Sequence, residues 1–218
     1  MVNSEDAKNV YNQRAEKYEK SMHTFRYASS LQQAILSLPL QLPEKAKILE
    51  LGCGTGITTK ALLQKFPDAQ LTGMDYSEEM LVLCKKKFPE LTLLQGDFNQ
   101  NQSFLTFPEN KSLTLSPASY DFIFSSGAVS EYGDLQKVLP FVYLLLKKEG
   151  IFINIGIKRN IVGLIMGKLW HFTAPGKEKF IDACRKAGFS VVQEMSLSWK
   201  FFPTNFVKYC IIANDRNN

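Results

Sequence analysis

The feature that most constrains this chain is a regular alternation of short apolar runs with helical patterns between Ala46 and Phe152. The apolar runs predict strands, and the stretches between them repeat apolar residues at helical spacing. Strands that alternate with helices form right-handed crossovers, which predicts an α/β fold with a mostly parallel sheet covered on both faces. The predicted strands are AKILEL, AQLTGMD, LTLLQGD, YDFIFSS and GIFINIG, and the predicted helices are ITTKALLQKF, SEEMLVLCKKKF and LQKVLPFVYLLLKK, the last kinked or interrupted at Pro140.

The C-terminal part departs from this alternation. A helix is predicted around Lys177–Ala187, ending at Gly188, and two strands, FSVVQEMSLSW and FVKYCIIAN, follow it. The FFPTN connection is too short for a helical crossover, so these strands are predicted to pair antiparallel. Asn99–Ser119 is long for a loop, and its SLTLS alternation predicts an extra edge hairpin.

The remaining segments suggest the domain organisation. Two N-terminal helices are expected, the first beginning near Ser4 and the second ending at Pro39. We predict that residues 1–45 form a helical lid on one domain of residues 46–218. Within that domain, residues 158–175 are both apolar and basic and are predicted to form a cap after the fifth strand.

Composition narrows the class of protein. The 218 residues are 45% hydrophobic and 22% charged, which is ordinary for a globular protein. No apolar run is long enough to span a membrane, and the polar N-terminus MVNSEDAKNV lacks the apolar core of a secretory signal. We therefore expect a cytoplasmic protein. Its four cysteines form no CxxC pair and are expected to be reduced thiols without a structural metal: Cys53, Cys84, Cys184 and Cys210.

The net charge of +5 is unevenly distributed along the chain. From Phe141 onward, 12 Lys and Arg against 5 Asp and Glu give +7, whereas the preceding part, with 14 against 16, gives −2. A basic C-terminal part could attract an anionic substrate, a membrane surface or nucleic acid. Lysines scattered over solvated helix faces would give the same count, and no arginine-rich stripe is present.

The stretch ILELGCGTG places three alternating glycines between the first predicted strand and helix. Glycine permits positive φ, and it lets a ligand lie against bare backbone at Gly52, Gly54 and Gly56. A phosphate-binding P-loop would need Gly-Lys-Ser/Thr, which does not occur. The dinucleotide fingerprint needs a further glycine where this chain has Ile57.

The GxGxG spacing, with Glu50 two residues before the first glycine, resembles class I S-adenosylmethionine-dependent methyltransferases of the small-molecule type. MDYSEEM, QGDF, YDFIFSSGAVSEY and LLKKEGIFIN correspond in order to later motifs of that family, so that the resemblance covers roughly Ala46–Phe152. It implies a three-layer Rossmann-like sandwich with a seven-stranded, mostly parallel sheet that ends in an antiparallel C-terminal hairpin. It also implies S-adenosyl-L-methionine as the cofactor.

The resemblance implies roles for particular residues. Asp75 would accept hydrogen bonds from both ribose hydroxyls, as one carboxylate can, although a turn aspartate is the alternative. Asp97 would lie near the adenine, or would serve only in a Gly-Asp turn. Glu50 would help to hold the methionyl ammonium. The full set implied to bind the cofactor is Glu50, Gly52, Gly54, Gly56, Asp75, Tyr76, Asp97, Phe98 and Ser125, with Tyr11 and Tyr18 from the lid.

Candidate catalytic residues are fewer. Transfer from a sulfonium is an in-line displacement, and a base helps only if the acceptor must lose a proton. His171, in the cap, and Glu131 and Tyr132, after the fourth strand, are the candidates for a base or acceptor ligand; a packed amphipathic residue is the alternative for His171. The apolar cap, with Lys158 and Arg159, suggests a small apolar or amphipathic acceptor, which could be lipid-like, or peripheral contact with a membrane. A helix packed on the core would explain the same composition.

Three functions therefore follow from the sequence. The first is methyl transfer to a small apolar or amphipathic acceptor. The second is a protein that binds the cofactor but is catalytically inactive and regulates a partner. RNA methylation ranks third, since no RNA-binding appendage is recognisable. DNA is not an expected partner, because Ser125–Ala128 stands where amino-methylating DNA enzymes have Asn/Asp-Pro-Pro-Tyr/Phe.

Overall fold

The computed structural model describes residues 4–100, 103–173 and 175–215. These residues form one mixed sheet with strand order β5-β4-β3-β2-β1-β6-β7-β9-β8. Its strands are β1 (Lys47–Leu51), β2 (Gln70–Asp75), β3 (Thr92–Gln95), β4 (Phe104–Phe107), β5 (Ser112–Leu113), β6 (Tyr120–Ser126), β7 (Leu146–Ile157), β8 (Val191–Met195) and β9 (Lys208–Asn214).

Helices connect the strands and cover both faces of the sheet. They are α1 (Ser4–His23), α2 (Tyr27–Leu36), α3 (Ile57–Lys65), α4 (Glu78–Lys87), α5 (Val129–Tyr132), α6 (Leu135–Leu145), α7 (Ile161–Trp170), α8 (Lys177–Lys186) and α9 (Thr204–Val207). Ser77 caps α4 as expected, because its Oγ accepts a hydrogen bond from the Met80 N–H at 3.3 Å. The helix α6 continues through Pro140 and is not interrupted there.

The pairing confirms the predicted α/β architecture. The adjacent strands β3, β2, β1, β6 and β7 are parallel, as helical crossovers require. The strand β9 pairs antiparallel with β7 on one side and with β8 on the other, which confirms the predicted C-terminal hairpin.

The strand count differs from the expected seven. The segment after β3 forms the antiparallel hairpin β4–β5, and β4 pairs antiparallel with β3, so the described sheet has nine strands. An edge hairpin was predicted from SLTLS, but its longer strand is FLTF, whose first residue, Phe104, is buried and stacks on Phe141 at 6.0 Å between ring centroids. The hairpin covers the backbone edge that β3 would otherwise expose.

Two apolar layers hold the sheet. Alternate residues of β1 enter opposite layers: Leu49 and Leu51 pack with α6 and α8, whereas Ile48 packs with α2, α3 and α4. Leu31 and Ile35 of α2 belong to the second layer, so α2 is part of the core of the domain. The predicted lid of residues 1–45 is therefore too long, and only α1 remains a lid candidate.

Three further observations concern the described residues. None of their helices is both long and apolar enough to cross a membrane. No group of three or more metal-ligating side chains is found among them. The four cysteines are buried and free.

Candidate functional site

A crevice opens where β1, β2 and β6 end, at the carboxyl edge of the parallel strands. Open α/β sheets bind ligands at this edge, outside the strand ends. We call this space the strand-end crevice. Its lining comes from the glycine loop, from the segments that follow β2, β3 and β6, and from α1, α4 and α5. The lining residues are Tyr18, Gly52, Gly54, Asp75, Tyr76, Met80, Phe98, Ser126, Gly127, Ala128 and Tyr132.

The three loop positions require glycine for different physical reasons. All have positive φ, but only at Gly54 would an added Cβ meet nothing within 4 Å. A Cβ on Gly52 would lie 2.2 Å from the Cβ of Ala128, and one on Gly56 would lie 2.6 Å from the ring of Phe88. Gly52 and Gly56 are therefore needed for packing within the protein. Gly54 is the position at which bare backbone faces open space, and Gly56 does not line the crevice.

Asp75 lies at the end of β2, where its carboxylate links two parts of the crevice. Its Oδ2 accepts the Gly54 N–H at 2.8 Å and its Oδ1 accepts the Ser77 N–H at 3.0 Å. Burial raises the pKa of Asp75 to about 6, although these backbone bonds act in the opposite direction. The Tyr76 N–H is a third backbone donor that acts on this carboxylate. A carboxylate has about four lone-pair positions, so the oxygens can still accept from hydroxyl donors such as those of a ribose.

Glu50 is fully buried at the end of β1 and does not line the crevice. Its Oε2 accepts the Thr59 hydroxyl at 2.6 Å, and its Oε1 accepts the hydroxyl of Thr58. Burial raises the pKa of Glu50 to about 7. In this structure Glu50 therefore joins β1 to the first turn of α3, and any contact with a bound ammonium would run through another group.

The other predicted cofactor residues divide between lining and support. Phe98 and Tyr76 line the crevice. Asp97 is not in its lining, and its Oδ1 accepts both the backbone and the side-chain N–H of Asn99, as in the turn alternative. Ser125 is fully buried, and its Oγ accepts the Val129 N–H at 3.1 Å. Its neighbour Ser126 takes the lining position instead, because successive strand residues face opposite sides.

Polar contacts hold α1 over the crevice. Glu19 forms an ion pair with Lys87 at 2.8 Å and accepts a hydrogen bond from the hydroxyl of Thr55 in the glycine loop. The Ser77 hydroxyl donates to the Asn12 side chain at 2.7 Å. Tyr18 lines the crevice, as predicted for a lid residue. The side chain of Tyr11, the other predicted lid residue, lies outside the described residues.

The three catalytic candidates lie in different surroundings. His171 is exposed at the left-handed C-cap of α7 and lines neither the crevice nor the cavity described below. Both oxygens of Glu131 are engaged, by the Ile157 N–H at 2.6 Å and the Ser130 hydroxyl at 2.7 Å. Tyr132 lines the crevice, and its hydroxyl donates to the carbonyl of Trp170 at 2.8 Å. The structure therefore does not bring the three together.

A second space, which we call the apolar cavity, adjoins the crevice and has a volume of about 710 Å³. Both spaces share lining residues, namely Tyr18, Gly52, Gly54, Ser126 and Gly127. The side chains that enclose the cavity are mostly apolar and come from α7 and from the segments around α2 and α9: Met22, Leu31, Val162, Met166, Leu169, Trp170, Phe172, Phe202, Phe206 and Val207.

Residues from the described part of the predicted cap, 158–173, therefore line one side of this cavity. Tyr18 of α1 packs edge-on against Trp170 of α7, with 5.4 Å between ring centroids, so lid and cap meet above the shared residues. The cavity is also lined by Lys208, at the start of β9, for which no local sequence pattern predicted a role. A lysine at the start of a strand is usually solvated, and only the position of β9 beside β7 buries it.

Known proteins with similar sequences are methyltransferases. Residues 49–152 match the family model described as "Methyltransferase domain". A relative, malonyl-[acyl-carrier protein] O-methyltransferase of Priestia megaterium, is 30% identical over 153 residues, which are 69% of this chain and 50% of the relative. The chain spans half or less of the length of the curated relatives it matches.

Solved structures share the fold at lower identity. A SAM-dependent methyltransferase of Thermotoga maritima has a TM-score of 0.69 at 22% identity, with 95% of this chain and 99% of that chain covered. Geranyl diphosphate C-methyltransferase of Streptomyces coelicolor, solved with S-adenosyl-L-homocysteine and geranyl diphosphate, has a TM-score of 0.66 at 10% identity, with 94% and 83% covered.

Proposed function

Because this chain belongs to the class I S-adenosylmethionine-dependent methyltransferase family, we propose that it transfers a methyl group to a small apolar or amphipathic acceptor bound in the apolar cavity. The observation that carries this proposal is the set of residues shared by the cavity and the strand-end crevice. A donor in one space and an acceptor in the other would meet at the backbone of Gly52, Gly54, Ser126 and Gly127.

The strand-end crevice is the proposed cofactor site. S-adenosylmethionine supplies a methyl group activated by a sulfonium. The bare backbone at Gly54 admits a ligand, and the carboxylate of Asp75 at the end of β2 suits the ribose hydroxyls as an acceptor. The remaining proposed contacts are the side chains of Tyr76 and Phe98 in the crevice wall. Tyr18 and the rest of α1 would close the site.

The protein would contribute to the reaction mainly by positioning the acceptor and by excluding water. An in-line displacement requires the acceptor atom to be aligned behind the methyl group, which a closed cavity achieves by restricting the acceptor. Apolar walls exclude water and favour neutralisation of the sulfonium charge. Of the catalytic candidates, Tyr132 is the one that lines the crevice, and we keep it as a residue that orients the ligand. Neither His171 nor Glu131 is placed to act as a base in the cavity.

A cavity-blocking variant tests this function. Met166→Trp fills the wall of the apolar cavity and leaves the crevice unchanged, whereas Leu144→Trp places the same side chain on the exposed face of α6. We expect Met166→Trp to stop formation of S-adenosylhomocysteine across a panel of apolar acceptors and to leave affinity for that product unchanged. Leu144→Trp should behave like the wild type. Equal turnover in both variants would contradict the assignment of the acceptor site, and turnover by no form of the protein would favour the inactive regulatory alternative.

The rim of the cavity supports a further proposal, that the acceptor is taken up at a membrane surface. Two segments that line the cavity, α7 and residues 199–206, also expose large apolar side chains: Ile161, Leu164, Ile165, Leu169, Trp199, Phe202 and Phe206. Lys168 and Lys200 are exposed among them, and neither residues 158–173 nor residues 196–209 contain an acidic side chain. Apolar residues with flanking cations favour an anionic bilayer surface.

Vesicle sedimentation tests this surface. The wild type should sediment with vesicles of phosphatidylcholine and phosphatidylglycerol, and less with phosphatidylcholine alone. Trp199→Ser should reduce sedimentation, whereas Val82→Ser, at an exposed position on α4, should not. Equal behaviour of the two variants would count against membrane uptake and would leave the methyl transfer proposal intact.

A further inference from the structure

Lys208 is the one lysine or arginine that is buried among the residues whose burial the structure describes (12–24, 26–100, 103–173 and 175–215), with an exposed fraction of 3%. It is the first residue of β9, opposite Ile157 of β7. Its ammonium group lies beside the residues that the cavity shares with the crevice. Lys208 Nζ is 3.3 Å from Ser126 Oγ. It would also be 3.3 Å from a Cβ built on Gly127.

The hydrogen bonds of this ammonium group are few and long. Its acceptors are Ser126 Oγ and the Ile155 carbonyl, both at 3.3 Å, whereas a charge-assisted bond to an oxygen is typically about 2.7–2.9 Å. No carboxylate in the described part of the chain lies within ion-pair distance of Nζ. Glu131 is near enough to act on Lys208 electrostatically, but its oxygens accept bonds from Ser130 and Ile157.

A buried ammonium without a close anion is unfavourable, because desolvation is not repaid by a partner. Burial accordingly lowers the pKa of Lys208, and the charge of Glu131 offsets this only in part. The group has three donors and two weak acceptors, so one donor remains for a ligand in the cavity.

A second donor points to the same chemistry. Tyr27 also lines the apolar cavity, and its buried hydroxyl has no hydrogen-bond partner in the part of the chain that the structure describes. A group that only accepts hydrogen bonds would satisfy both the ammonium and the phenol. One cation, with Glu131 close by, suits a single negative charge better than the two charges of a phosphate monoester.

We propose that Lys208 and Tyr27 bind a carboxylate of the acceptor, so that the substrate class is an apolar monocarboxylate with its charged end at the junction of cavity and crevice. This inference rests on the proposed acceptor site. Lys208 is then a specificity-determining residue: it selects the acid over a neutral molecule of the same length, and it fixes which end of the acceptor lies near Ser126 and Gly127.

Calorimetric titration of the full chain with a matched pair of probes, decanoate and decan-1-ol, tests the inference. We run it with and without saturating S-adenosylhomocysteine, so that the acceptor site is measured independently of the cofactor site. The wild type should bind decanoate at least ~10-fold more tightly than decan-1-ol. Lys208→Met should remove this preference and leave affinity for S-adenosylhomocysteine unchanged. Tyr27→Phe should weaken binding of decanoate several-fold. Lys86→Met, which removes an exposed cation on α4 that lines neither space, should change neither the affinity for decanoate nor the preference for the acid.

Two readings overturn the inference: a wild type that binds the alcohol as tightly as the acid, or a Lys208→Met variant that retains the preference for the acid. The first of these results concerns the wild type alone, so the inference can be refuted even if the variant does not fold. Melting temperatures add a second readout, since decanoate should raise that of the wild type and not that of Lys208→Met. Failure of S-adenosylhomocysteine to bind the wild type would instead refute the proposed methyl transfer, whatever the probes show.

Discussion

Asp75→Asn is the perturbation that tests the cofactor site most directly. The substitution keeps the shape of the side chain and replaces one of its two carboxylate oxygens with an amide nitrogen. In the wild type, each oxygen already accepts one backbone N–H, from Gly54 at 2.8 Å and from Ser77 at 3.0 Å. A carboxylate has about four lone-pair positions, and a ribose diol would compete for the remaining ones with the Tyr76 N–H, which also acts on this carboxylate.

The expected loss follows from that count. Each bond from a ribose hydroxyl to the charged carboxylate is worth about 1.5–3 kcal/mol, and a neutral bond about 0.5–1.5 kcal/mol. In the variant, the amide nitrogen cannot accept, so one bond is lost, and the bond to the amide oxygen becomes a neutral one. We expect a total loss of about 3 kcal/mol, which is roughly 150-fold in the dissociation constant. Asp75→Ala should weaken binding by at least ~10-fold for the same reason.

The pH dependence separates this role from a structural one. Since burial raises the pKa of Asp75 to about 6, the free protein binds a proton there as the pH falls below 6. The diol needs the charged form, so affinity should fall about tenfold per pH unit below pH 6 and stay level above it.

The assay is calorimetric titration of S-adenosylhomocysteine into both proteins between pH 5 and pH 8. Protonation of the ligand or of Glu50 would affect both proteins equally. The difference between their pH profiles therefore reports the protonation of Asp75 alone. A wild type and a variant with equal dissociation constants, or with parallel pH profiles, would refute the ribose contact.

Two further predictions concern the same crevice. Gly54→Val should abolish binding of S-adenosylhomocysteine while circular dichroism shows a folded protein, because the new side chain enters the space that is open at Gly54; tight binding by the folded variant would contradict the loop assignment. Glu50→Gln should change the pH dependence of stability. Since the pKa of Glu50 is raised from 4.5 to about 7, its stabilising effect is full below pH 4.5 and is lost as the pH rises through 7, a change of about 3 kcal/mol. The free energy of unfolding, measured in urea, should decrease less between pH 5 and pH 8 for Glu50→Gln than for the wild type. Equal decreases in the two proteins would show that burial does not penalise the charged form of Glu50.

Local patterns predicted the parts of the fold that local chemistry determines. The parallel strands β1, β2, β3 and β6 and the second half of β7 are largely buried apolar runs. Ser77 begins α4 because its hydroxyl caps a free backbone N–H. The antiparallel pairing of β8 and β9 followed from a connection too short for a crossover. Asp75 was found at a strand end, where its position relative to the glycine loop follows from parallel strand order alone.

Other residues depend on tertiary contacts that no short pattern contains. His171 has aromatic neighbours in the sequence, which suggested a place in the site, but α7 ends there in a left-handed turn and leaves its side chain exposed. Gly52 was expected to face a ligand, but a side chain at this position would also collide with Ala128, which is distant in sequence. Lys208 was missed because burial of a lysine depends on strands that are distant in sequence.

The proposed donor and acceptor sites draw mostly on different parts of the chain, and this limits what similarity to methyltransferases can say about the substrate. The match to the methyltransferase model covers residues 49–152, which include the glycine loop, Asp75, Phe98 and Tyr132. Most of the side chains that enclose the apolar cavity come from outside that range, from the segments of α1 and α2 before it and from the end of β7 to β9 after it; the glycine loop, the start of α3 and the end of β6 supply the rest. Since these segments contact the crevice mainly through residues shared by both spaces, they can change the acceptor without changing how S-adenosylmethionine is held. The chemistry of the acceptor must therefore be inferred from the cavity itself, where an apolar wall leaves one ammonium group and one phenol to be satisfied by the substrate.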